Sequence, residues 1–249
     1  MLRTYSRFGK CPQLLSRLCA FLAIIGGLSG CATRIAGLKH DPEFTYQRLH
    51  TDKLAVAGVV VAKGALDLPR ESRRAELLSR QISTHRPDLK QQPTSYLLNT
   101  IGVTSYKKLL DEYRQFGFLS KARLTQLATS KDNARFIFFA RIEKDDIENE
   151  LDRPADETAR SKDRGIIART TRGLEVSFRI YDLQTLRSVW SGSIKKYDYN
   201  RKEYAHQLTA EGKPLDETKL KFPSAPTTDT VLGFVFRGFV ENLPKKGAR

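Results

Sequence analysis

The stretch Phe136-Ile137-Phe138-Phe139-Ala140 decides the fold of this chain. Five apolar residues in a row cannot alternate between a buried face and a wet face, so a strand of this composition must be covered on both sides. A second run of this kind, residues 54–62 (LAVAGVVVA), consists of small and β-branched residues. The two runs predict core strands of one sheet, with the phenylalanine-rich strand in a central position.

The second half of the chain predicts a β-hairpin. Residues 174–181 (LEVSFRIY) alternate apolar and polar side chains, which is typical of a strand with one covered and one wet face. Residues 187–195 are expected to pair with this strand, and residues 182–186 to form the turn. Trp190 lies in the second strand, where it either plugs the core beneath the hairpin or belongs to a partner-binding surface.

Segments with apolar residues at helical spacing predict helices that cover the sheet. In residues 105–116 the apolar stripe is followed by Gly117, a typical helix stop. Residues 92–103 are read as a further strand with a turn. These elements predict an α+β fold, a single mixed β-sheet with helices packed on it. The stripe comprises Tyr106, Leu109, Leu110, Tyr113 and Phe116, and the other predicted helices are residues 71–84, Ser120 through Leu127, and Thr227 or Thr228 to about Asn242.

Residues 1–30 have the composition of a secretory signal. Basic residues precede an apolar run, residues 18–28, that is shorter than the ~20 residues of a transmembrane helix. The tetrapeptide Leu28-Ser29-Gly30-Cys31 resembles the lipobox of bacterial lipoproteins. The resemblance implies cleavage before Cys31, a diacylglycerol thioether on its sulfur and acylation, for example with palmitate, of its amine. The alternative is an unmodified cysteine after an ordinary signal peptide.

The residue after this cysteine is Ala32 and not Asp, which by the sorting rule of Gram-negative lipoproteins implies the outer membrane. We expect residues 31–51 to form a lipidated tether, residues 52–244 a periplasmic α/β domain, and residues 245–249 a basic tail. Since Cys11 and Cys19 would leave with the signal peptide, no disulfide is expected in the mature chain.

Two polar segments, residues 143–172 and 196–226, are predicted to be insertions into the sheet. The first is acidic in its first half and basic in its second, so that the halves either fold back on each other or stay mobile. As a strand extension, it would turn Ile147 and Leu151 inward. The second insertion is either a partner-binding loop or a loop packed on its own domain, and it contains Tyr197, Tyr199 and Tyr204.

The run FIFFARIE and the hairpin resemble periplasmic domains related to the curli-secretion lipoprotein, the lipoprotein activators of penicillin-binding proteins and the amino-terminal domain of TolB. In those domains a hairpin of the type hydrophobic-D-x-x-T-G-x-hydrophobic-W forms the sheet edge. Leu186 replaces the glycine of that pattern here. The resemblance implies the α/β architecture over roughly residues 54–243, and it is carried by Ile180-Tyr181-Asp182-Leu183-Gln184-Thr185 and Val189-Trp190-Ser191-Gly192.

The chain is strongly basic. Its net charge is +15, and the leader carries four basic and no acidic residues, which leaves +11 for the mature part. In a bacterial envelope the available polyanions are anionic lipid head groups and lipopolysaccharide phosphates, and nucleic acid is not an expected partner. The alternative is a solvated surface that keeps the protein soluble.

The sequence favours a binding protein over an enzyme. It contains no G-x-S-x-G, G-x-x-x-x-G-K or H-E-x-x-H motif, and its four histidines are scattered. We therefore expect no catalytic residues, no metal and no cofactor. The expected partners are outer-membrane lipid, through acylated Cys31, and an envelope protein.

Other functions compete with this docking module. One is a structural lipoprotein that sits on anionic lipid through residues such as Lys195, Lys196, Arg201 and Lys202. A secretion pore, which the curli-secretion relative forms, would need strands of ~9–11 alternating residues that neither insertion has. A hydrolase is disfavoured because the sequence contains no recognisable hydrolase motif.

Overall fold

The computed structural model describes residues 33–129, 134–152, 166–204 and 220–247. The predicted signal peptide and the motif Leu28-Ser29-Gly30-Cys31 lie outside the described residues. Within the described part of the chain, five strands form one mixed sheet of order β1-β5-β4-β3-β2. The strands are β1 (Ala36–His40), β2 (Leu54–Val61), β3 (Phe136–Asp152), β4 (Ile166–Asp182) and β5 (Arg187–Tyr204).

Strands β2 and β3 are parallel, and the other neighbouring strands are antiparallel. In β3 the side chains of Phe136, Phe138 and Ala140 enter one hydrophobic cluster, and those of Ile137 and Phe139 enter the cluster on the opposite face. The prediction of a strand buried on both sides is therefore confirmed, and β2 and β4 flank it.

Helices cover both faces of the sheet. The described helices are α1 (Tyr46–Thr51), α2 (Leu68–His85), α3 (Tyr96–Phe116), α4 (Lys121–Ala128) and α5 (Thr228–Glu241). Buried residues of α2 and α5 belong to one cluster, and those of α3 and α4 to the other. The predicted α+β fold, one mixed sheet with helices packed on it, is confirmed.

The predicted strand in residues 92–103 is wrong, because this segment forms the first part of α3. Gly102 interrupts the helix with a φ of 76° and a ψ of 160°, a conformation that glycine adopts without the steric cost of a Cβ atom. Leu97 and the partly buried Ile101 both face the second cluster and are four residues apart. The apolar residues of this segment therefore follow helical spacing, but Gly102 makes the sequence look like a turn.

Phe116 was expected in the core stripe of α3, and this expectation is wrong, since its side chain is 59% exposed. Tyr106, Leu109, Leu110 and Tyr113 of that stripe are buried. At 100° per residue, Phe116 lies roughly 70° from the centre of the stripe, at its margin. Gly117 then ends the helix in the left-handed conformation, as predicted.

The tether predicted through residue 51 is too long. Strand β1 pairs with β5 at the edge of the sheet, with Ala36 opposite Ser193 and His40 opposite Trp190. Phe44 and Leu49 are fully buried in the first cluster. All five residues of β1 are exposed, so the strand has no alternation of apolar and polar residues. Its hydrogen-bonding partner lies about 150 residues later in the chain, so local sequence does not reveal the pairing either.

The two predicted insertions are, in their described parts, continuations of the strands. Residues 144–152 of β3, 166–173 of β4 and 195–204 of β5 form a three-stranded sheet that runs beyond the part covered by helices. We call this region the extension. The described residues of the acidic and basic halves of the first segment thus pair with each other. Ile147 does not face inward as expected, since it is 52% exposed.

The β4–β5 hairpin forms as predicted, with a turn at residues 183–186. The carboxylate of Asp182 accepts hydrogen bonds from Nε and Nη2 of Arg135 at 3.1 and 2.8 Å, and from the backbone N–H of Gln184 at 2.9 Å. Leu186 adopts a φ of 53°, at the place where the related hairpins have glycine. The hydrogen bonds of Asp182 therefore hold a turn whose last residue is conformationally unfavourable.

Candidate functional site

The extension is the candidate site because each of its outer strands has one edge that no other described strand pairs with. Strand β4 pairs with both neighbours along the extension. In contrast, β1 pairs with β5 only as far as Ser193, and β2 pairs with β3 only as far as Ile142. Beyond these points, no strand among the described residues covers either edge. Each edge therefore presents backbone N–H and C=O groups that a partner strand can bind.

The two edges carry opposite charges. The β3 edge has the sequence KDDIENELD over residues 144–152, with five acidic residues and one lysine. The β5 edge has the sequence KKYDYNRKEY over residues 195–204, with four basic and two acidic residues. The extension therefore offers one acidic and one basic edge.

Arginines of the middle strand neutralise much of the acidic edge. Arg169 lies 3.7 Å from both Glu150 and Asp152, and Arg172 lies 2.7 Å from Asp145. No comparable acids face Lys196 and Lys202 within ion-pair distance among the residues described. Within the described residues, the basic β5 edge is thus less compensated than the acidic β3 edge.

One face of the extension is covered by the segment that precedes α5. The Tyr204 hydroxyl accepts a hydrogen bond from the backbone N–H of Lys221 and donates one to its carbonyl oxygen. Asn200 donates to the carbonyl of Ser224 at 2.7 Å, and Arg172 to that of Pro226 at 2.6 Å. Tyr204 therefore packs on its own domain and is not free for a partner.

The opposite face is open and carries two exposed tyrosines, Tyr197 and Tyr199, at 57% and 51% exposure. The Tyr197 ring lies over Gly173, where a Cβ atom would come within 2.8 Å of the ring. The ammonium of Lys195 and the guanidinium of Arg169 sit 5.0 Å above the rings of Tyr197 and Tyr199, respectively. A hydrogen bond that the Lys195 ammonium donates to the side chain of Tyr197 raises the pKa of Lys195 above its usual value, so this lysine stays charged.

Trp190, a candidate partner-binding residue, is 1% exposed. Its ring meets that of Phe239 edge to face at a centroid distance of 5.2 Å. Trp190 is therefore the core plug beneath the hairpin, the other interpretation that its position allowed, and it cannot contact a partner. Of the four predicted partner-binding residues, the structure leaves Tyr197 and Tyr199 accessible.

Residues that sequence reasoning missed are Arg169, Arg172 and Gly173 of β4. A signal for the arginines exists, because bases at positions 169 and 172 fall opposite the acids of residues 145–152 when the two halves pair in a hairpin. Gly173 has no such signal, since its role depends on the Tyr197 ring of the next strand.

Other groups that could carry chemistry are the histidines and the acidic side chains of the described residues. Among the described residues, no group of three or more His, Cys, Asp and Glu side chains could hold a metal ion. His40 and His50 contact the backbone carbonyls of Phe44 and Asp88 at 2.9 and 3.0 Å. The described helices include none with the length and apolar character needed to span a bilayer.

No family model and no curated protein matches the chain. Among solved structures, the PelC dodecamer from Paraburkholderia phytofirmans is similar at 11% identity, with 84% of this chain and 96% of that chain covered and a TM-score of 0.38. The LpoB C-terminal domain from Salmonella enterica follows at 12% identity, 58% and 82% coverage and a TM-score of 0.33. Lipoprotein GNA1162 from Neisseria meningitidis has 10% identity, 59% and 83% coverage and a TM-score of 0.35. At these values the similarities assign no function.

Proposed function

We propose that this chain is a lipid-anchored, non-enzymatic protein-interaction module on the periplasmic face of the outer membrane, and that it docks on another envelope protein through its extension. The lipid anchor rests on the sequence Leu28-Ser29-Gly30-Cys31. The docking rests on one observation of the structure, the β5 edge of the extension, which no strand among the described residues covers.

An uncovered strand edge can bind an extended segment of another protein, which adds to the sheet as a further strand. Backbone hydrogen bonds then supply affinity, and neighbouring side chains supply specificity. Tyr197 and Tyr199 point to the open face from β5 itself, and exposed tyrosines are enriched among residues that dominate binding energy at interfaces. The edge and the tyrosines thus form one surface.

The charge of the β5 edge favours an acidic partner segment. Lys196 and Lys202 have no ion-pair partner in the described part of the chain, whereas three of the five acids of the β3 edge are paired with Arg169 and Arg172. Opposite charges across an edge steer association and fix register. We therefore assign docking to β5 and not to β3.

A photo-crosslinking amino acid placed at Tyr199 tests this proposal in whole cells. We expect a discrete adduct with an envelope protein, and we expect Lys196→Glu with Lys202→Glu to weaken it. Phe234, which is 46% exposed on α5, is the matched control position and should give no such adduct.

Equal adducts from both positions would contradict docking at the extension. An adduct of this chain with itself would identify the partner as a second copy of this chain and not as another envelope protein. Such a pair is chemically reasonable, because the acidic β3 edge of one molecule complements the basic β5 edge of another.

A further inference from the structure

Two exposed phenylalanines form an aromatic tip where α3 ends. Phe116 and Phe118 are 59% and 51% exposed, they flank Gly117, and their ring centroids lie 5.9 Å apart. Both line a surface groove of ≈ 560 Å³ together with Lys108. We call Phe116, Gly117 and Phe118 the tip. Adjacent large apolar side chains at the surface commonly mark a contact site.

The tip is held in place by buried neighbours. The N–H of Gly117 donates to the carbonyl of Tyr113 at 2.8 Å, and Arg141 Nε donates to the carbonyl of Arg114 at 2.8 Å. On the other side, the N–H of Leu119 donates to the buried Tyr181 hydroxyl at 2.9 Å. The phenylalanines are therefore presented on a fixed backbone.

The tip lies beside the start of β1. A second groove, of ≈ 310 Å³, is lined by Gly117 of the tip and by Ala36 and Gly37 of β1. Cys31 precedes Ala36 by five residues in the sequence. Five extended residues span at most ~18 Å, so the chain that links Cys31 to Ala36 is no longer than that.

Basic side chains surround the tip. Lys39 and Arg179 line the second groove, and Lys108 lines the first. These three have no ion-pair partner among the residues that the structure describes. The nearby acids are compensated, since Asp111 pairs with Arg114 at 2.8 Å and Glu112 with Arg123 at 3.1 Å.

From these observations we infer that the tip inserts into the head-group region of the anionic phospholipid leaflet that holds the lipid of Cys31. The inference rests on the lipid anchor of the proposed function. Apolar side chains at a membrane interface contribute buried area, and adjacent lysines and arginines add attraction to anionic lipids. A single chain-end anchor leaves a domain free to rotate, whereas a second contact fixes which face it turns to the membrane.

Fluorescence of the acylated full-length protein on vesicles of phosphatidylethanolamine and phosphatidylglycerol tests this inference. The variant Phe118→Trp reports on the tip, and Phe234→Trp on α5 is the matched control at a similarly exposed phenylalanine. Buried Trp190 contributes the same background to both, and the unsubstituted protein measures it. Circular dichroism verifies that both variants fold.

We expect brominated phosphatidylglycerol to quench the tryptophan of Phe118→Trp and its emission to shift to the blue, with neither effect in Phe234→Trp. The charge variant Lys39→Glu with Lys108→Glu should reduce the quenching. If the protein floats with vesicles but both tryptophans stay unquenched, the inference is overturned while the lipid anchor stands. If the protein does not float at all, the anchor itself fails. A blue shift that needs an envelope protein and no vesicles would make the tip a protein contact and also overturn the inference.

Discussion

At the scale of single residues, Phe239 of α5 joins the helix to the sheet. Its ring stacks on that of Phe178 at a centroid distance of 4.3 Å and an interplanar angle of 3°. It also meets Trp190 and Phe138 edge to face, at 5.2 and 5.8 Å. One side chain thus contacts three strands, and its loss would open a cavity between α5 and the hairpin.

Phe239→Ala is expected to lower the free energy of unfolding by ~3–5 kcal/mol, as large-to-small changes do in a packed core. The control Phe234→Ala removes a half-exposed ring from the same helix and should change stability by only ~0.5 kcal/mol. Urea denaturation measures both variants. Equal losses would mean that α5 does not dock on the sheet through Phe239.

Glu71 is a buried acid whose charge is only partly balanced by a neighbouring basic side chain. It is 3% exposed, its Oε2 lies 3.7 Å from Arg74, and that oxygen forms no hydrogen bond within the described structure. Burial raises the pKa of Glu71 from 4.5 to about 7, although Arg74 lowers it in part. The folded state therefore binds this proton more tightly than the unfolded state does.

Because the pKa is raised in the folded state, the contribution of Glu71 to stability is full below pH 4.5 and is lost as the pH rises to about 7. The loss amounts to ~3 kcal/mol at 1.36 kcal/mol per pKa unit. Glu71→Gln should remove this part of the pH dependence, whereas Glu76→Gln, at an exposed position of α2, should not. The test is the urea denaturation midpoint of each protein, measured between pH 4.5 and 8. If the midpoint of Glu71→Gln changed with pH in parallel to that of the natural protein, the prediction would be refuted.

At the scale of elements, two helical glycines allow the effect of backbone conformation on stability to be measured apart from the effect of packing. A Cβ atom would meet nothing within 4 Å at Gly102 of α3 or at Gly233 of α5. Gly102 has a φ of 76°, and Gly233 lies inside a regular helix. Any difference between alanine substitutions at the two positions therefore reports on the backbone.

Gly102→Ala is expected to destabilise the protein by ~1–3 kcal/mol, since alanine is strained at this φ and ψ. Gly233→Ala is expected to stabilise it by ~0.5–1 kcal/mol, because alanine loses less conformational entropy in a helix. Thermal and urea unfolding measure both. A neutral Gly102→Ala would show that α3 straightens through this position.

Elements with a local signal were predictable. Strands β2 and β3, the hairpin and helices α2, α4 and α5 follow from apolar periodicity within each segment and from capping residues such as Ser120 and Thr227. For residues 143–172 the sequence left two alternatives open, halves that fold back on each other and a mobile segment. Strand β1 was not predictable, because its hydrogen-bonding partner is distant in the sequence. A polar strand without a covered face has no hydrophobic pattern to reveal it.

At the scale of the whole molecule, our proposal makes the lipid on Cys31 the feature that places the protein at the outer membrane. Cys31→Ser should abolish labelling with radioactive palmitate and leave an unprocessed precursor outside the outer-membrane fraction. The control Cys19→Ser changes a cysteine within the leader and should leave labelling and fractionation unchanged. Labelling of the Cys31→Ser protein, or its normal fractionation, would contradict the anchor.

The whole molecule also brings together two surfaces with different expected neighbours. The tip and the start of β1 share one groove, while the β5 edge continues beyond β1 into the extension. In our proposals the first surface faces lipid and the second faces a protein. Neither depends on a catalytic centre.

The amino-acid sequence alone predicts the buried strands, most of the helices, the α+β class and a lipidated Cys31. Each of these predictions depends only on residues that are neighbours in the chain. Tertiary structure decided that Trp190 is core, that Phe116 is exposed, that residues 36–51 join the domain, and that no described strand pairs with the outer edge of β5 beyond Ser193. The physical reason is that burial and strand pairing are set by contacts between residues far apart in the chain, which no local pattern encodes.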